Sequence, residues 1–165
     1  MDSTRITLRP VAEADGELLL ELYTSSRAQE LAVVPWTSEQ KKVFVEMQFK
    51  AQQSHYKAEY PQAEHSMICL DGVPVGRVYL DRRAEKFQIL DITVLPQQRN
   101  AGVGSHVLRQ IMEEATGSGK PVSIYVETFN PSLRLFERLG FLRAQEMGMH
   151  FLMKWEPPAQ QPPQA

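Results

Sequence analysis

A short turn, from Arg99 to Ser105, contains two glycines and an arginine, residue types that suit the binding of a phosphate. The β-branched residues before it, among them Ile92 and Val94, predict a strand. After Gly102, apolar residues recur at helical spacing. Backbone N–H groups at the start of a helix attract anions, and glycine, which has no Cβ, lets a phosphate come close. Because the guanidinium of Arg99 also matches phosphate oxygens, we predict an anion-binding loop between a strand and a helix.

Two common phosphate-binding motifs do not fit this turn. A P-loop ends in Gly-Lys followed by Ser or Thr, and no such ending is present. The dinucleotide-binding motif has a third glycine three residues after the second, where this chain has Val107. Taken alone, a Gly-x-Gly turn is equally compatible with a simple tight connection between a strand and a helix.

The chain before the loop predicts one strand, two helices and a hairpin. Residues 4–10 alternate apolar and polar side chains, as a half-buried strand does. Thr37 and Gln40 match a capping box at the start of the second helix. The dipeptide Asp71-Gly72 separates two strand-like runs and predicts a tight turn. Gly76, inside the second run, predicts a bulge or the close approach of another backbone.

The chain after the loop predicts a helix, a strand, a second helix and two strands. The strand covers residues 122–126. Asn130 and Pro131 favour the start of a helix, because asparagine caps it and proline at its first position needs no N–H partner. Gly140 favours the end of that helix. The last two strands are predicted over residues 141–145 and 149–155.

The composition is that of an ordinary globular protein, because 42% of the 165 residues are hydrophobic and 23% are charged. A net charge of −2 argues against a nucleic-acid partner, which would need a basic surface. Cys69 is the single cysteine, and we predict no metal site. No apolar run reaches the ~18 residues of a membrane span, and no secretory signal opens the chain, so we expect a cytoplasmic protein. We expect one domain, residues 1–156, and a disordered proline- and glutamine-rich tail, residues 157–165.

Two motifs together resemble those of the GNAT (GCN5-related N-acetyltransferase) family. Arg99, Gly102 and Gly104 match the Arg/Gln-x-x-Gly-x-Gly loop that binds coenzyme A in that family. The segment that begins at Asn130 and continues through Phe136 resembles a second family motif, in which the asparagine hydrogen-bonds the pantetheine arm. The order of predicted elements resembles the whole GNAT domain, from about residue 4 to residue 155.

The resemblance implies an α+β fold with a mixed, mostly antiparallel sheet flanked by helices. It implies that the strand before the loop and the strand over residues 122–126 splay apart, and that the pantetheine of acetyl-CoA lies in the resulting cleft. The cofactor-binding residues that it implies are Ile92, Thr93, Val94, Arg99, Asn100, Ala101, Gly102, Val103, Gly104, Ser105, Asn130 and Phe136. A homodimer is one possible assembly, because dimers are common in the family.

The implied activity is acetyl transfer to an amine, and its catalytic groups stay open at this point. Asp91 and Glu127 are strand carboxylates that could act as the base, but each is also compatible with a structural role. Tyr125 stands where some family members have a glutamate, and could bind substrate or relay a proton. Many members have a tyrosine at the position of Phe136, where it acts as the general acid. Phenylalanine cannot donate a proton. Backbone N–H groups around Val94 could stabilise the oxyanion.

The acceptor is not named by the sequence. Aromatic candidates for its binding site are Trp36, Tyr56, Tyr60 and Tyr79. A lysine amine, with a pKa of ~10.4, costs roughly 4–5 kcal/mol to deprotonate near neutral pH, whereas an α-amine, with a pKa of ~7.7–8.0, costs far less. A site without a clear base therefore favours an α-amine of a small molecule or peptide, or another acceptor of low pKa. The alternatives are a coenzyme A-binding sensor or structural module with little activity, and transfer to another acceptor or of a bulkier acyl group.

Overall fold

The computed structural model describes residues 5–99, 101–128 and 130–158. These residues form four α-helices, which are α1 (Gly16–Ala32), α2 (Ser38–Glu59), α3 (Val103–Ser118) and α4 (Leu133–Arg138). The seven strands are β1 (Ile6–Pro10), β2 (Glu64–Leu70), β3 (Val73–Arg82), β4 (Phe87–Val94), β5 (Val122–Glu127), β6 (Leu142–Met147) and β7 (His150–Trp155). They form one sheet in the order β1-β2-β3-β4-β5-β7-β6. The predicted α+β class and the order of elements are confirmed.

The sheet is mixed, and its central pair separates part of the way along. β4 and β5 pair in parallel, while the other neighbouring strands of the described chain pair antiparallel. The parallel pairing ends at Ile89 and Ile124, although both strands continue beyond these residues. The splay that the family resemblance implied is therefore present.

A β-bulge in β4 coincides with this separation. Tyr79 of β3 lies opposite Asp91, and the next residue, Leu80, lies opposite Ile89, so Leu90 is the extra residue. A bulge bends its strand and increases the local twist. Since Leu90 directly follows the last residue of β4 that pairs with β5, the bulge gives a physical reason for the divergence of the two strands.

Local sequence signals explain several element boundaries. The Thr37 hydroxyl accepts a hydrogen bond from the Gln40 backbone N–H at 3.1 Å, and the Gln40 side-chain oxygen accepts one from the Thr37 N–H at 2.9 Å. This capping box begins α2 as predicted. A Cβ on Gly76 would lie 2.6 Å from the carbonyl oxygen of Thr93, so the predicted close backbone approach is real.

The start of α4 differs from the sequence expectation. The helix begins at Leu133, whereas Asn130 and Pro131 were expected to open it. The Asn130 Oδ1 atom accepts a hydrogen bond at 2.9 Å from the Ser132 N–H, and its backbone carbonyl accepts one at 3.1 Å from Leu133. Asparagine therefore caps a turn that precedes the regular helix, a local pairing that competes with helical hydrogen bonds.

Two apolar layers cover the two faces of the sheet. On one face, α3 and α4 bury Val107, Leu108 and Phe136 against the strands. On the other face, Leu22 of α1 and Phe49 of α2 lie in a smaller core. This arrangement leaves the separated ends of β4 and β5 between two pairs of helices.

Both ends of the chain lie partly beyond the described residues. Pro157, at the start of the predicted tail, is buried. Residues 159–165 lie outside the described part, so the disordered tail stays a prediction. Residue 4, the expected start of the first strand, also lies outside it. Within the described stretches, no helix combines the length and apolar character that a bilayer crossing needs.

Candidate functional site

The proposed cofactor platform is the far half of β4. Ile92 and Thr93 pair with Val78 and Arg77 of β3 on one side, but β5 has left the opposite side by this point. In this half of β4, one edge pairs with β3 and the other edge has no pairing with β5. A strand edge carries N–H and C=O groups that an extended ligand can pair with.

The predicted phosphate loop connects this platform to α3. Gly102 has a φ of 84°, a left-handed conformation that glycine adopts readily, and it caps the helix. A Cβ on Gly102 would meet nothing within 4 Å, and one on Gly104 would meet only the Leu135 side chain at 3.7 Å. The two glycines thus leave open space at the start of a 16-residue helix, which fits the predicted anion site.

The other loop residues differ in what they can contribute. Arg99 and Ala101 are exposed, and Ser105 is partly buried. Val103 is only 1% exposed and belongs to the core, so its backbone alone can face a ligand. Asn100, also predicted to bind the cofactor, lies outside the described residues.

The second cofactor motif places Asn130 and Phe136 at opposite ends of a short segment. The Asn130 Nδ2 group donates a hydrogen bond at 3.0 Å to Glu127. Phe136 is 2% exposed and packs edge-on against Phe141, with ring centroids 5.4 Å apart. Phe136 is therefore a packing residue in this structure, and it has no proton to donate.

The first acidic candidate, Asp91, is held in a buried ion pair. Its Oδ2 atom lies 2.7 Å from the Nε of Arg77 and also accepts a hydrogen bond at 2.9 Å from Thr93. Arg77 is only 1% exposed, and its Nη2 group donates at 2.8 Å to Gln52 of α2. This Asp91 oxygen therefore compensates the buried charge of Arg77.

The second acidic candidate, Glu127, belongs to a separate network. It accepts the hydrogen bond from Asn130 and lies 3.4 Å from Nη1 of Arg27 on α1. Tyr125, two residues earlier on β5, is 47% exposed. Among the described residues, no hydrogen bond or ion pair joins Asp91, Glu127 and Tyr125 to one another.

Three of the four aromatic candidates gather beside the platform. Tyr56 packs against Tyr60 and Tyr79, with ring centroids 6.2 and 5.1 Å apart. Trp36 instead packs edge-on against Phe44, and among the described residues no ring contact joins it to the tyrosines. The Tyr56 hydroxyl donates at 3.0 Å to the carbonyl of the bulge residue, Leu90. Burial, followed by the nearby Asp91 charge, raises the pKa of Tyr56, which keeps its phenol protonated.

A histidine extends this aromatic group. The ring of His65 stacks on Tyr79, with centroids 4.3 Å apart and planes 10° from parallel. Burial, reinforced by the charge of Arg77, lowers the pKa of His65 to about 4. The imidazole is therefore neutral at physiological pH.

Sequence reasoning missed Arg77, Gln52, Arg27 and His65. The available signal for Arg77 was an arginine flanked by apolar residues in the middle of a strand. Its partners Asp91 and Gln52 are 14 and 25 residues away, and Arg27 and Glu127 are 100 residues apart. No spacing rule within one element joins residues at such separations. In the described ranges, no group of three or more acidic, histidine or cysteine side chains could hold a metal ion.

The sequence and the fold of the chain are similar to those of known proteins. Residues 24–141 match the family model described as "Acetyltransferase (GNAT) family", which is well over half of the chain. Among curated proteins, no significant match was found.

Solved structures with a similar fold cover nearly the whole chain. A PaiA N-acetyltransferase from Thermoplasma acidophilum, in complex with coenzyme A, has a TM-score of 0.70 at 16% identity, with 92% of this chain and 98% of that chain covered. The ribosomal-protein-S18-alanine N-acetyltransferase from Escherichia coli has a TM-score of 0.61 at 15% identity, covering 92% and 93%. Arabidopsis thaliana Naa50, in complex with the bisubstrate analogue CoA-Ac-MVNAL, has a TM-score of 0.59 at 14% identity, covering 92% and 99%. At such identities the likeness shows the fold.

Proposed function

Because this chain belongs to the GNAT family of acetyltransferases, we propose that it transfers an acetyl group from acetyl-CoA to a primary amine by direct attack on the thioester. Acetyl-CoA is the cofactor of this family, and a similar structure holds coenzyme A. The observation that carries the proposal is the parting of β4 from β5 after Ile89 and Ile124, with a glycine loop at the end of β4.

Different residues of the chain would bind acetyl-CoA and orient its thioester. Acetyl-CoA supplies the acetyl group as an activated thioester. The N–H groups at the start of α3 and the exposed charge of Arg99 would hold its phosphates. The free edge of β4 from Ile92 to Val94 would pair with its pantetheine arm, and N–H groups near Val94 would stabilise the charge that develops on the thioester oxygen. Since Phe136 cannot donate a proton, the thiol, with a pKa near ~8.5, would leave as thiolate or be protonated by water.

We infer that the acceptor is an amine of low pKa, such as the α-amine of a peptide or small molecule. Asp91 is tied to Arg77, and Glu127 to Arg27 and Asn130, so both strand carboxylates already serve other groups. Deprotonating an α-amine at neutral pH costs about 1 kcal/mol, against roughly 4–5 kcal/mol for a lysine side chain. The names of two similar structures, an S18-alanine N-acetyltransferase and a complex with CoA-Ac-MVNAL, are consistent with this acceptor.

A thiol-release assay with matched acceptors tests the proposal. One peptide carries a free α-amine and no lysine, and the other has a blocked N-terminus and one lysine. We expect the first to be acetylated at least tenfold faster at pH 7, with the difference shrinking toward pH 10 as the lysine loses its proton. A clear preference for the lysine peptide at pH 7 would contradict the proposed acceptor class.

A coenzyme A-binding module with little activity is the second candidate. Buried Phe136, in the position of the family's usual tyrosine, and the two paired carboxylates favour it. Binding of coenzyme A in a calorimeter, without thiol release for any amine in a broad panel, would support the module over the enzyme. A cytoplasmic location and a homodimer remain predictions from the sequence and the family resemblance.

A further inference from the structure

A chain of polar contacts crosses the mouth of the cleft, from α1 through the end of β5 to the segment before α4. Arg27 of α1 lies 3.4 Å from one carboxylate oxygen of Glu127, and the other oxygen accepts a hydrogen bond at 3.0 Å from Asn130. We propose that Glu127 is a positioning residue: it orients the amide of Asn130 toward the cofactor arm and holds the parted end of β5 against α1. The proposal rests on the proposed function and on the contact between Asn130 and the pantetheine arm that the family resemblance implies.

The position of Glu127 allows it to link the end of β5 to α1. It is the last residue of β5 and lies three residues beyond Ile124, where pairing with β4 ends. Arg27 belongs to α1, which packs on β3 and β4. The ion pair therefore links β5 to α1 in the region in which β4 and β5 no longer pair.

Other contacts hold the Arg27 side chain in place, so it can fix the position of Glu127. Its guanidinium lies 5.2 Å from the centre of the Tyr23 ring and 3.2 Å from Glu30. The side chains of Arg27 and Glu127 are 25% and 24% exposed, which leaves them partly shielded from water. An ion pair in such a setting is screened less than one on the open surface.

The contacts of Asn130 fix which way its amide points. A carboxylate only accepts hydrogen bonds and a backbone N–H only donates, so Nδ2 must face Glu127 and Oδ1 must face Ser132. A flipped amide would lose both interactions. The amide then keeps one N–H and one oxygen lone pair for a ligand, because Nδ2 has two hydrogens and Oδ1 has two acceptor sites. Glu127 thereby prepares a donor and an acceptor in one set orientation.

The same contacts argue against a role for Glu127 as the base. One of its oxygens faces a cation and the other receives the Asn130 hydrogen bond. These contacts occupy both oxygens, whereas a general base needs an oxygen free to receive the proton. Positioning and base catalysis predict different results when this residue is changed.

The test measures the affinity for coenzyme A itself, which needs no knowledge of the acceptor. With Glu127→Ala, we expect the dissociation constant of coenzyme A to rise about tenfold, because the orienting hydrogen bond is lost. Glu127→Gln keeps an oxygen that accepts from Asn130, so we expect a rise of about threefold or less. Arg27→Met, which retains a long stem over Tyr23, should weaken binding by a similar small factor. Glu137→Ala removes an exposed partner of Arg143 and is the matched control, with unchanged binding.

A double-mutant cycle separates positioning from an independent contribution. If Glu127 acts through Asn130, the double variant Glu127→Ala/Asn130→Ala should bind coenzyme A no more weakly than Asn130→Ala alone. Fully additive losses, or unchanged affinity in a folded Glu127→Ala variant, would overturn the proposal. So would a Glu127→Gln variant that binds coenzyme A normally but loses at least 100-fold in kcat together with the acidic limb of its pH profile, since that is the behaviour of a base.

Failure of the proposed function gives a different result. Wild-type protein that binds no coenzyme A would overturn the proposed function and the role of Asn130 together. Wild-type protein that binds it without turnover would favour the coenzyme A-binding module, and the cycle would still measure the coupling of Glu127 to Asn130.

Discussion

The buried pair of Arg77 and Asp91 makes Asp91→Ala a decisive substitution. Arg77 is 1% exposed, and one of its terminal nitrogens, Nη1, is buried without a hydrogen-bond partner among the described residues. Removing the Asp91 carboxylate, 2.7 Å away, would leave Gln52 to support an unpaired buried cation. Loss of one partner of a buried pair costs about 3–5 kcal/mol. Because the Asp91 side chain is 25% exposed, water can partly replace it, and we expect about 3 kcal/mol.

Thermal unfolding converts this cost into a measurable shift. In a chain of this length, 1 kcal/mol corresponds to about 2–4 °C in Tm, so Asp91→Ala should lower Tm by about 6–12 °C. The double variant Arg77→Met/Asp91→Ala removes the stranded charge and should recover most of the loss. Glu137→Ala, which breaks an exposed ion pair, should change the free energy of unfolding by less than about 1 kcal/mol.

Two outcomes would refute the reasoning. A drop in Tm of less than about 2 °C with loss of acetyl transfer would mean that Asp91 serves the reaction and not the buried arginine. A double variant no more stable than Asp91→Ala would mean that the unpaired charge is not the source of the cost. Circular dichroism melts of the three variants and a thiol-release assay on the same samples distinguish these cases.

Two further substitutions test the loop and the aromatic group. Gly104→Ala should weaken the binding of coenzyme A at least tenfold in calorimetry. It should also raise Tm by about 2–4 °C, because alanine favours a helix and its Cβ meets only Leu135 at 3.7 Å. Unchanged affinity would contradict the proposed phosphate-binding loop. His65 has a pKa lowered to about 4 in the folded protein, whereas the unfolded chain takes up this proton near pH ~6.5. The free energy of unfolding should therefore fall as the pH drops through this window. His65→Phe, which keeps a ring against Tyr79, should flatten the fall in urea titrations at pH 4.5 and pH 7, and an equally steep fall in the variant would exclude His65 as its source.

Features determined by neighbouring residues were predictable from the sequence. The capping box of Thr37 and Gln40 needs only residues three positions apart, and it forms with both hydrogen bonds. Gly140, predicted to end α4, has a φ of 102° that few other residues adopt. The glycine loop belongs to the same class, because its conformation and its place at the start of α3 depend on a few consecutive residues. The element order could therefore be predicted, and it carried the family resemblance.

Features set by strand register were not predictable in this way. The bulge at Leu90 exists because β3 and β4 pair two residues against one, and neither strand alone encodes that offset. Tyr56, 34 residues away, supports the bulge through a hydrogen bond to its carbonyl. The sequence suggested Tyr56 as a residue that binds the acceptor amine only because its side chain is aromatic. The structure adds that its hydroxyl donates a hydrogen bond to the backbone at the place where β4 and β5 separate, and the role in acceptor binding stays a prediction.

The roles of the two acidic residues depend on partners from other elements of the fold, the neighbouring strand β3 for Asp91 and the helix α1 for Glu127. Strand position made Asp91 and Glu127 equal candidates for the base, but α1 and β3 each place an arginine against one of them. The oxygen that faces the arginine already accepts from it, whereas a general base needs an oxygen within reach of the acceptor's proton. If neither residue removes the proton of the acceptor amine, the amine must lose it to water before attack. The rate should then follow the fraction of neutral acceptor, with a midpoint set by the acceptor's own pKa and not by a group of the protein.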